Sequence, residues 1–300
     1  MSLLVIGTVA YDSIESPYGN APDTLGGSGT YFASSASFYT PTQVVGVVGA
    51  DFDLQELDYL RAQGVDFEGL EVDADGKTFR WGGKYMEDVN QRETLFTDLN
   101  VLETFSPKLP ESYRQTDIVF LANFAPQLQS QVLDQLSAPK FVVMDTMNLW
   151  IDIAMDDVKA VLKRVDGVIV NDEETRMLSG ELNLVAGAKK LLEMGPRLVI
   201  CKKGEHGAFL LSKDDFFSIP AYPTTAVKDP TGAGDSFAGG MMGYIAATGN
   251  SDFATVKTGL AHGSAAASFC VEEFGVGRFK TIDKAAIESR VEKIRGYTAF

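Results

Sequence analysis

The sequence predicts an α/β fold with a mainly parallel central sheet, helices on both of its faces and a second, smaller β-sheet. Short runs of β-branched and other apolar residues recur along the chain and alternate with helical patterns, which is typical of strands buried in a parallel sheet. One segment instead alternates apolar and polar residues, which is typical of a two-sided ribbon. A glycine-rich turn, DPTGAGDSFAGG, opens a helix late in the chain.

The composition is that of an ordinary globular chain with an acidic surface. Of the 300 residues 45% are hydrophobic, which suffices for a sizeable core, and 26 basic residues stand against 41 acidic ones. Because no basic cluster is present, we expect neither nucleic acid nor a membrane as a partner. Cys201 and Cys270 stand in apolar contexts and predict buried free thiols, which indicates a cytoplasmic protein. Without a linker, residues 1–300 are expected to form one domain.

Apolar runs mark the predicted parallel strands. The first run, Leu3–Ile6, lacks the basic flank of a signal peptide and leads to Asp12 just beyond the strand end. Later runs are Val44–Val48, Ile118–Ala122, Phe141–Met144 and Val168–Val170. The last three runs are each followed by a polar residue, namely Asn123, Asp145 and Asn171. Because the carboxyl ends of parallel strands lie at one edge of a sheet, these side chains predict a shared cleft.

Two segments outside these runs predict the small sheet. Residues 12–25 hold turn residues between short edge strands, and residues 77–100 alternate around a central glycine pair. Phe79, Trp81 and Tyr85 would share one face of a continuous strand unless the glycines between them break the register. Two interpretations stay open for these rings: they stack on a base or sugar, or they form the packing of the small sheet itself or a dimer face.

The glycine-rich turn carries the clearest chemistry. Gly232 and Gly234 permit a backbone that points successive amides at an anion, and the start of a helix adds its positive dipole end. Asp235 stands among these donors, where we expect its ionised form at neutral pH. A carboxylate there is suited to take a proton from a hydroxyl group that attacks a phosphate. For the string GAGD alone, a helix cap is the alternative.

The whole chain resembles the ribokinase or PfkB family of carbohydrate and nucleoside kinases. The resemblance lies in DPTGAGDSFAGG, in the glycine pair Gly26 and Gly27, and in the NDEE string from Asn171 to Glu174, all in the family's order and spacing. It implies a ribokinase-like three-layer fold with a mainly parallel central sheet and a small β-sheet lid built from the segments near 12–25 and 77–100. It also implies ATP-dependent phosphorylation of an alcohol group.

The resemblance assigns the catalytic and substrate positions. Asp235 would be the general base, and the anion hole would be formed by the amides of Gly232, Ala233 and Gly234. The substrate would contact Asp12, Gly26, Gly27, Tyr31 and Asn123. Tyr31 departs from the family, which usually has asparagine four residues after the second glycine. Because tyrosine brings a ring and one hydroxyl in place of an amide, the substrate of ribokinase does not carry over.

The resemblance also assigns the cofactor side. Asn171 and Glu174, one helical turn apart, would hold waters of a hydrated Mg²⁺. The nucleotide would contact Lys202, Gly204, Thr231 and His262. Lys202 stands where the family often has threonine and either supplies charge to phosphate or is solvated, whereas His262 either borders adenine or is a core histidine. Asp229, with the loop 272–277, is a candidate K⁺ site.

The substrate class stays open at this level. A sugar or sugar-like small molecule is the first interpretation. A nucleoside kinase of the adenosine, inosine/guanosine or cytidine type is the alternative if the aromatic residues of the lid and Tyr31 enclose a base. A nucleotide-binding regulator without turnover is a third hypothesis. A homodimer through the lid is also considered.

Overall fold

The structure is a computed structural model, and it describes residues 1–299. Its strands are β1 (Leu3–Ile6), β2 (Ala10–Ser16), β3 (Gly19–Gly26), β4 (Thr42–Gly49), β5 (Asp66–Asp73), β6 (Arg80–Tyr85), β7 (Arg92–Asp98), β8 (Ile118–Leu121), β9 (Phe141–Asp145), β10 (Gly167–Asn171), β11 (Leu198–Lys202), β12 (Ala208–Leu211) and β13 (Phe216–Ile219). Its α-helices are α1 (Ser28–Ala36), α2 (Asp58–Ala62), α3 (Pro126–Gln135), α4 (Asn148–Ile153), α5 (Met155–Leu162), α6 (Asp172–Ser179), α7 (Leu184–Glu193), α8 (Ala233–Thr248), α9 (Phe253–Cys270) and α10 (Lys284–Thr298).

The larger sheet has nine strands in the order β13-β12-β11-β10-β9-β8-β1-β4-β5. All neighbours from β11 to β5 run parallel, and β12 is antiparallel to both of its neighbours. Strands β1, β8 and β9 are buried throughout, as the continuous apolar runs predicted. The prediction of a mainly parallel central sheet is therefore confirmed, and the carboxyl ends of its parallel strands lie at one edge.

Helices cover the two faces of this sheet. Along β1, Leu3 and Val5 pack into one core with α1, α8, α9 and α10, whereas Leu4 and Ile6 pack into a second core with α3 to α7. Side chains alternate in this way because successive residues of a strand point to opposite faces. The two buried free thiols divide likewise, with Cys270 in the first core and Cys201 in the second. Within residues 1–299, no helix is long and apolar enough to cross a membrane.

The smaller sheet has the order β3-β2-β6-β7 and is built from the two predicted segments. Hairpins β2–β3 and β6–β7 are antiparallel, and β2 pairs with β6 in parallel. The chain enters this sheet directly from the central one, because only residues 7–9 separate β1 from β2. Strand β7 is exposed throughout and forms one edge.

The glycine pair of β6 makes room for two aromatic rings. A Cβ built on Gly83 would lie 2.0 Å from the ring of Trp81, and one built on Gly82 would lie 2.2 Å from the ring of Phe96. The pairing with β7 shifts register between the two glycines. The ring of Trp81 lies beside Gly83 of its own strand, and Phe79 precedes β6. A common face for Phe79, Trp81 and Tyr85 stays a prediction.

Candidate active site

Three neighbouring strands bring polar residues to the same edge of the central sheet. Asp145 ends β9, Asn171 ends β10 and Lys202 ends β11, and Lys202 is the direct register partner of Asn171. The Lys202 Nζ lies 3.5 Å from Asp145 Oδ2, and the exposed fractions of these two side chains are 18% and 6%. The predicted cleft therefore contains a mostly buried ion pair in which Asp145, Glu174 and Asp235 hold the pKa of Lys202 above its usual value despite burial.

The glycine-rich turn leads into helix α8 at this edge. Gly232 has a φ of 72°, in the left-handed region, and the ring of Tyr31 fills the space beside it, since a Cβ there would lie 2.3 Å from ring carbons. The amide of Ala233 donates to the Pro230 carbonyl at 3.1 Å, so it would have to leave this turn to bind an anion. The amides of Gly234 and Asp235 have no backbone acceptor within residues 1–299 and belong to the first turn of the helix, where amides are left unpaired; the Asp235 amide also lies close to its own carboxyl group.

The protonation of Asp235 depends on its burial. Burial, followed by the nearby carboxyl group of Asp145, raises the pKa of Asp235 to about 7, and Lys202 only partly opposes this shift. Desolvation offsets the favourable donors of the turn, so the pKa lies close to neutrality, and the ionised form expected from the sequence stays a prediction. A pKa near neutrality is well placed for a group that must accept a proton and later release it.

Asp12 lies in the same region, at the start of the small sheet. Its side chain is buried, and Oδ2 accepts a hydrogen bond from the Gly27 amide at 3.4 Å. A Cβ on Gly26 would lie 2.0 Å from Oδ2, so the glycine pair leaves just enough room for this carboxyl group. Burial raises the pKa of Asp12 to about 7, with smaller contributions from Asp229 and Asp235. The predicted substrate residue and the predicted base thus interact electrostatically.

Tyr31 contributes a buried hydroxyl group to this region. The residue is 1% exposed, and by distance and angle its hydroxyl makes no hydrogen bond within residues 1–299, although it lies close enough to Asp12 to lower the pKa of that carboxyl group slightly. It lies close enough to Asp12 and Asp229 for their charges to raise its pKa further, beyond the effect of burial. Buried hydroxyl groups are usually paired, so an unpaired one at the edge of a cleft suggests a partner that the protein itself does not supply.

The small sheet contacts the glycine-rich turn. The Tyr85 hydroxyl lies 2.9 Å from Thr231 Oγ1, and this hydrogen bond joins β6 to the segment that precedes α8. Asp229, which is fully buried, accepts hydrogen bonds from the Thr231 amide at 2.8 Å and from the Gly275 amide at 3.3 Å. These contacts give Asp229 an organising role between the turn and the loop 272–277, whereas its role as a cation ligand stays a prediction.

Asn171 and Glu174 form a capping box at the start of α6. Asn171 Oδ1 accepts from the Glu174 amide at 2.8 Å, and Glu174 Oε2 accepts from the Asn171 amide at 2.7 Å. Burial raises the pKa of Glu174 to about 8, with Lys202 opposing and Asp145 adding to the shift. The helix cap fixes both side chains, and Glu174 lies close enough to Lys202 and Asp145 for their charges to act on it.

Three further predicted residues make contacts with side chains outside this cluster. The Asn123 amide is engaged by Trp150 Nε1 and Met147 Sδ, both at 3.1 Å. His262 Nδ1 lies 2.9 Å from the Tyr39 hydroxyl, its ring stacks on Tyr244 at 4.1 Å, and burial lowers its pKa to about 4. Gly204, with φ of 54°, lies beside Asn90 of the β6–β7 turn. The contacts of His262 are those of a core histidine, and its place beside adenine stays a prediction.

A three-layer α/β fold with a small accessory sheet, in which free helix-start amides and a carboxyl group face a polar sheet edge, defines a class of phosphotransferases that act on hydroxyl groups. The chain belongs to the pfkB family of carbohydrate kinases, whose model matches residues 3–282. It is a sugar or nucleoside kinase of that family. The cytidine kinase of Thermococcus kodakarensis is 28% identical over 252 residues, which cover 81% of this chain and 88% of the relative.

Solved structures share the fold. A nucleoside kinase of Burkholderia thailandensis in complex with inosine superposes with a TM-score of 0.78 at 21% identity and covers 98% of this chain and 99% of its own. A ribokinase II candidate from E. coli, solved with ATP and Mg²⁺, has a TM-score of 0.80 at 19% identity and covers 97% of this chain and 99% of its own. The ribokinase-like fold with a small accessory sheet is thereby confirmed.

The donor set at the sheet edge fits Mg²⁺ that arrives with a nucleotide. Asp145 and Glu174 supply carboxylate oxygens, which Mg²⁺ prefers. Within residues 1–299, no group of three or more histidine, cysteine, aspartate or glutamate side chains is arranged to hold a metal ion by itself. Two carboxyl groups without a complete protein cage match the usual arrangement, in which phosphates and waters complete the coordination of Mg²⁺.

Proposed function

We propose that the protein transfers the γ-phosphoryl group of ATP to a hydroxyl group of a nucleoside or sugar, with Asp235 as the general base. The observation that carries this proposal is the combination, in one turn of α8, of a carboxyl group with a pKa of about 7 and two amides without backbone acceptors. Residues 1–300 would act as one catalytic unit, with the small sheet as its lid.

The acceptor hydroxyl would lie between Asp12 and Asp235. Asp235 takes its proton as the acceptor oxygen bonds to the γ-phosphorus, the bond from that phosphorus to the β–γ bridging oxygen breaks, and ADP leaves. The amides of Gly234 and Asp235 would stabilise the charge on the transferring group, each by about 3 kcal/mol if well aligned. Bound Mg²⁺ would neutralise phosphate charge, and Asp145 and Glu174 are the side chains that would hold it.

The lid would exclude water from the reaction. One contact of this sheet with the site is the hydrogen bond between Tyr85 and Thr231, which joins β6 to the turn that precedes α8 and supports this role. Exclusion of water favours transfer to the acceptor over hydrolysis of ATP. Asp229 would place K⁺ beside this turn if a monovalent cation is used.

A nucleoside is our first candidate for the acceptor. The relative from Thermococcus kodakarensis, which covers most of this chain, is a cytidine kinase, and the structure from Burkholderia thailandensis holds inosine. The ring of Tyr31 stands where many sugar kinases of the family have asparagine, and Trp81 on the lid is only half buried. A sugar remains the second candidate because the family name covers carbohydrate kinases.

The test is ADP release from Mg·ATP with a panel of acceptors. The panel holds cytidine, uridine, adenosine, inosine, guanosine, ribose and fructose, and Asp235→Asn serves as the control. Turnover with one class that falls roughly 1,000-fold in the variant, while calorimetry gives unchanged ATP affinity, would support the proposal. ATP binding without turnover on any acceptor would instead favour a nucleotide-binding regulator, and full turnover in Asp235→Asn would exclude this base.

The exposed edge of the lid suggests the surface for a homodimer. Leu95 and Phe96 on β7 are 45% and 39% exposed, and an open strand edge with apolar side chains is suited to pair with a second copy. Sedimentation velocity of the wild-type protein and of Leu95→Lys tests this proposal. A monomer in both samples would contradict it. Cytoplasmic location likewise stays a prediction.

A further inference from the structure

The ammonium group of Lys202 lies among the carboxyl groups that the proposed reaction uses. Its nearest contact is Asp145 Oδ2 at 3.5 Å, and Glu174 and Asp235 complete the set of acidic groups that act on it. Lys202 ends β11, whereas the three acids come from β9, α6 and α8. One cation thus connects the predicted metal side of the cleft with the predicted base.

The same ammonium reaches the anion-binding turn. A Cβ built on Gly234 would lie 3.0 Å from Lys202 Nζ, so the nitrogen stands directly beside the first turn of α8. That turn carries the free amides of Gly234 and Asp235. A cation at this point would contact the phosphoryl group that these amides bind. Lys202 is therefore placed where it can contact both a carboxyl partner and a phosphate bound at this turn.

The pairing of Lys202 with Asp145 is loose. Charge-assisted hydrogen bonds between an ammonium and a carboxylate are about 2.7 to 2.9 Å long, and this contact is longer. An ammonium group has three donors, and the Lys202 side chain is still 18% exposed. The Lys202 ammonium is therefore partly accessible and keeps N–H donors that Asp145 does not use. A fully buried structural salt bridge would have neither property.

The positive charge of Lys202 offsets the negative charges of the acidic groups around it. Without Lys202, the carboxyl groups of Asp145, Glu174 and Asp235 would share one buried region with no cation in contact. A triphosphate entering that region would be repelled unless a cation came with it. A lysine can neutralise the acids in the resting protein and become available for phosphate when a metal ion takes over its carboxyl partners.

We propose that Lys202 pairs with the metal-binding carboxyl group of Asp145, close to Glu174, in the nucleotide-free protein and is released to the transferring phosphoryl group when Mg²⁺ arrives with ATP. This inference rests on the proposed function. It assigns Lys202 two successive partners at one site. Metal and lysine would then compete for the same oxygens.

Metal binding to the nucleotide-free protein gives the first test. Mn²⁺ affinity is measured by calorimetry for the wild type, for Lys202→Met and for Lys213→Met, a control on the exposed β12–β13 turn. In Lys202→Met we expect Mn²⁺ to bind at least roughly ten-fold more tightly, while kcat falls roughly 100-fold or more. Lys213→Met should change neither. Unchanged Mn²⁺ affinity in Lys202→Met would overturn the proposal, and so would unchanged kcat.

A second test covers the case in which Lys202→Met fails to fold. Asp145→Asn removes the partner of Lys202, so metal-free ATP should bind about five-fold more tightly or better, because the ammonium is free for phosphate. Unchanged affinity for metal-free ATP in Asp145→Asn would overturn the proposal without any variant of Lys202. Where the double variant Asp145→Asn with Lys202→Met folds, the gain should be absent, and a gain that persists there would overturn the proposal as well. These affinities do not depend on turnover, so a wild type inactive on every acceptor would refute the proposed function and leave the test of Lys202 intact.

Discussion

The ring of Tyr31 lies flat against Gly232, so that a Cβ on this glycine would come within 2.3 Å of the ring carbons. Tyr31 belongs to α1, which follows the glycine pair beside Asp12, and Gly232 is the residue before α8. The residues predicted to contact the substrate and the turn predicted to bind phosphate are therefore in direct contact. A change of one residue on either side should alter the position of the other.

Gly232→Ala should strain the backbone and also bring the new methyl group into overlap with the ring of Tyr31. An alanine in the left-handed region costs about 1 to 2 kcal/mol, and the overlap with Tyr31 should displace the start of α8, with a roughly 100-fold loss of kcat. Gly180→Ala is a matched control, because Gly180 has the same φ of 72° but nothing within 4 Å of its Cβ position. Urea unfolding and kinetics of both variants separate the two effects. Equal activity in the two variants would contradict the role of the contact.

Tyr31→Phe should not lower stability. The hydroxyl is buried without a partner in residues 1–299, so its removal relieves the cost of an unpaired group, about 1 kcal/mol. Tyr113→Phe is the comparison, because the Tyr113 hydroxyl donates to the Asp66 carbonyl at 3.2 Å, and its loss should cost about 1 kcal/mol. The measurement is the free energy of unfolding in urea. If both variants lose stability equally, the Tyr31 hydroxyl has a partner in solution.

Turnover should rise with pH through neutrality. Asp235 has a pKa of about 7, and a general base acts in its deprotonated form. We expect kcat/KM to rise roughly ten-fold per unit below about pH 7 and to level off above it. The residual activity of Asp235→Asn should lack this rise. A wild-type profile that is flat across this range would exclude Asp235 as the group that titrates.

Tyr85→Phe should uncouple ATP hydrolysis from transfer. The variant loses the hydrogen bond to Thr231 at 2.9 Å, so the lid is held less firmly over the turn and water gains access. We expect the ratio of ADP formed to product phosphorylated to rise above one, measured by chromatography of both. Tyr18→Phe, on the exposed β2–β3 turn of the same sheet, serves as the control. A ratio of one in both variants would argue against this contact as part of closure.

Patterns of sequence predicted the architecture well because they depend on local rules. Apolar runs such as Leu3–Ile6 became buried parallel strands, and the alternating segments became the small sheet. The break in that sheet was less predictable, because the overlap of Trp81 with Gly83 depends on the register with β7. The thiols at Cys201 and Cys270 are buried, as their apolar contexts indicated.

The sequence identified candidate residues of the site but did not indicate how their charges shift one another's pKa values. Motifs pointed to Asp235 and Glu174, yet their raised pKa values follow from burial together with Asp145, whose distance from them no local pattern encodes. Likewise, sequence left Lys202 either solvated or bound to phosphate. Its contact with Asp145 depends on which strands are neighbours in the sheet, and β9 and β11 are far apart in the chain.

The two thiols lie in opposite cores, so their chemical modification can report on local opening of each helical layer. Cys201 lies next to Lys202 in the core on one face of the sheet, and Cys270 lies on the other face with its Sγ 3.3 Å from the Thr231 carbonyl. A thiol reagent can modify each only after its layer separates from the sheet. The two modification rates would therefore report separately on the motions of the two helical layers, with no engineered label.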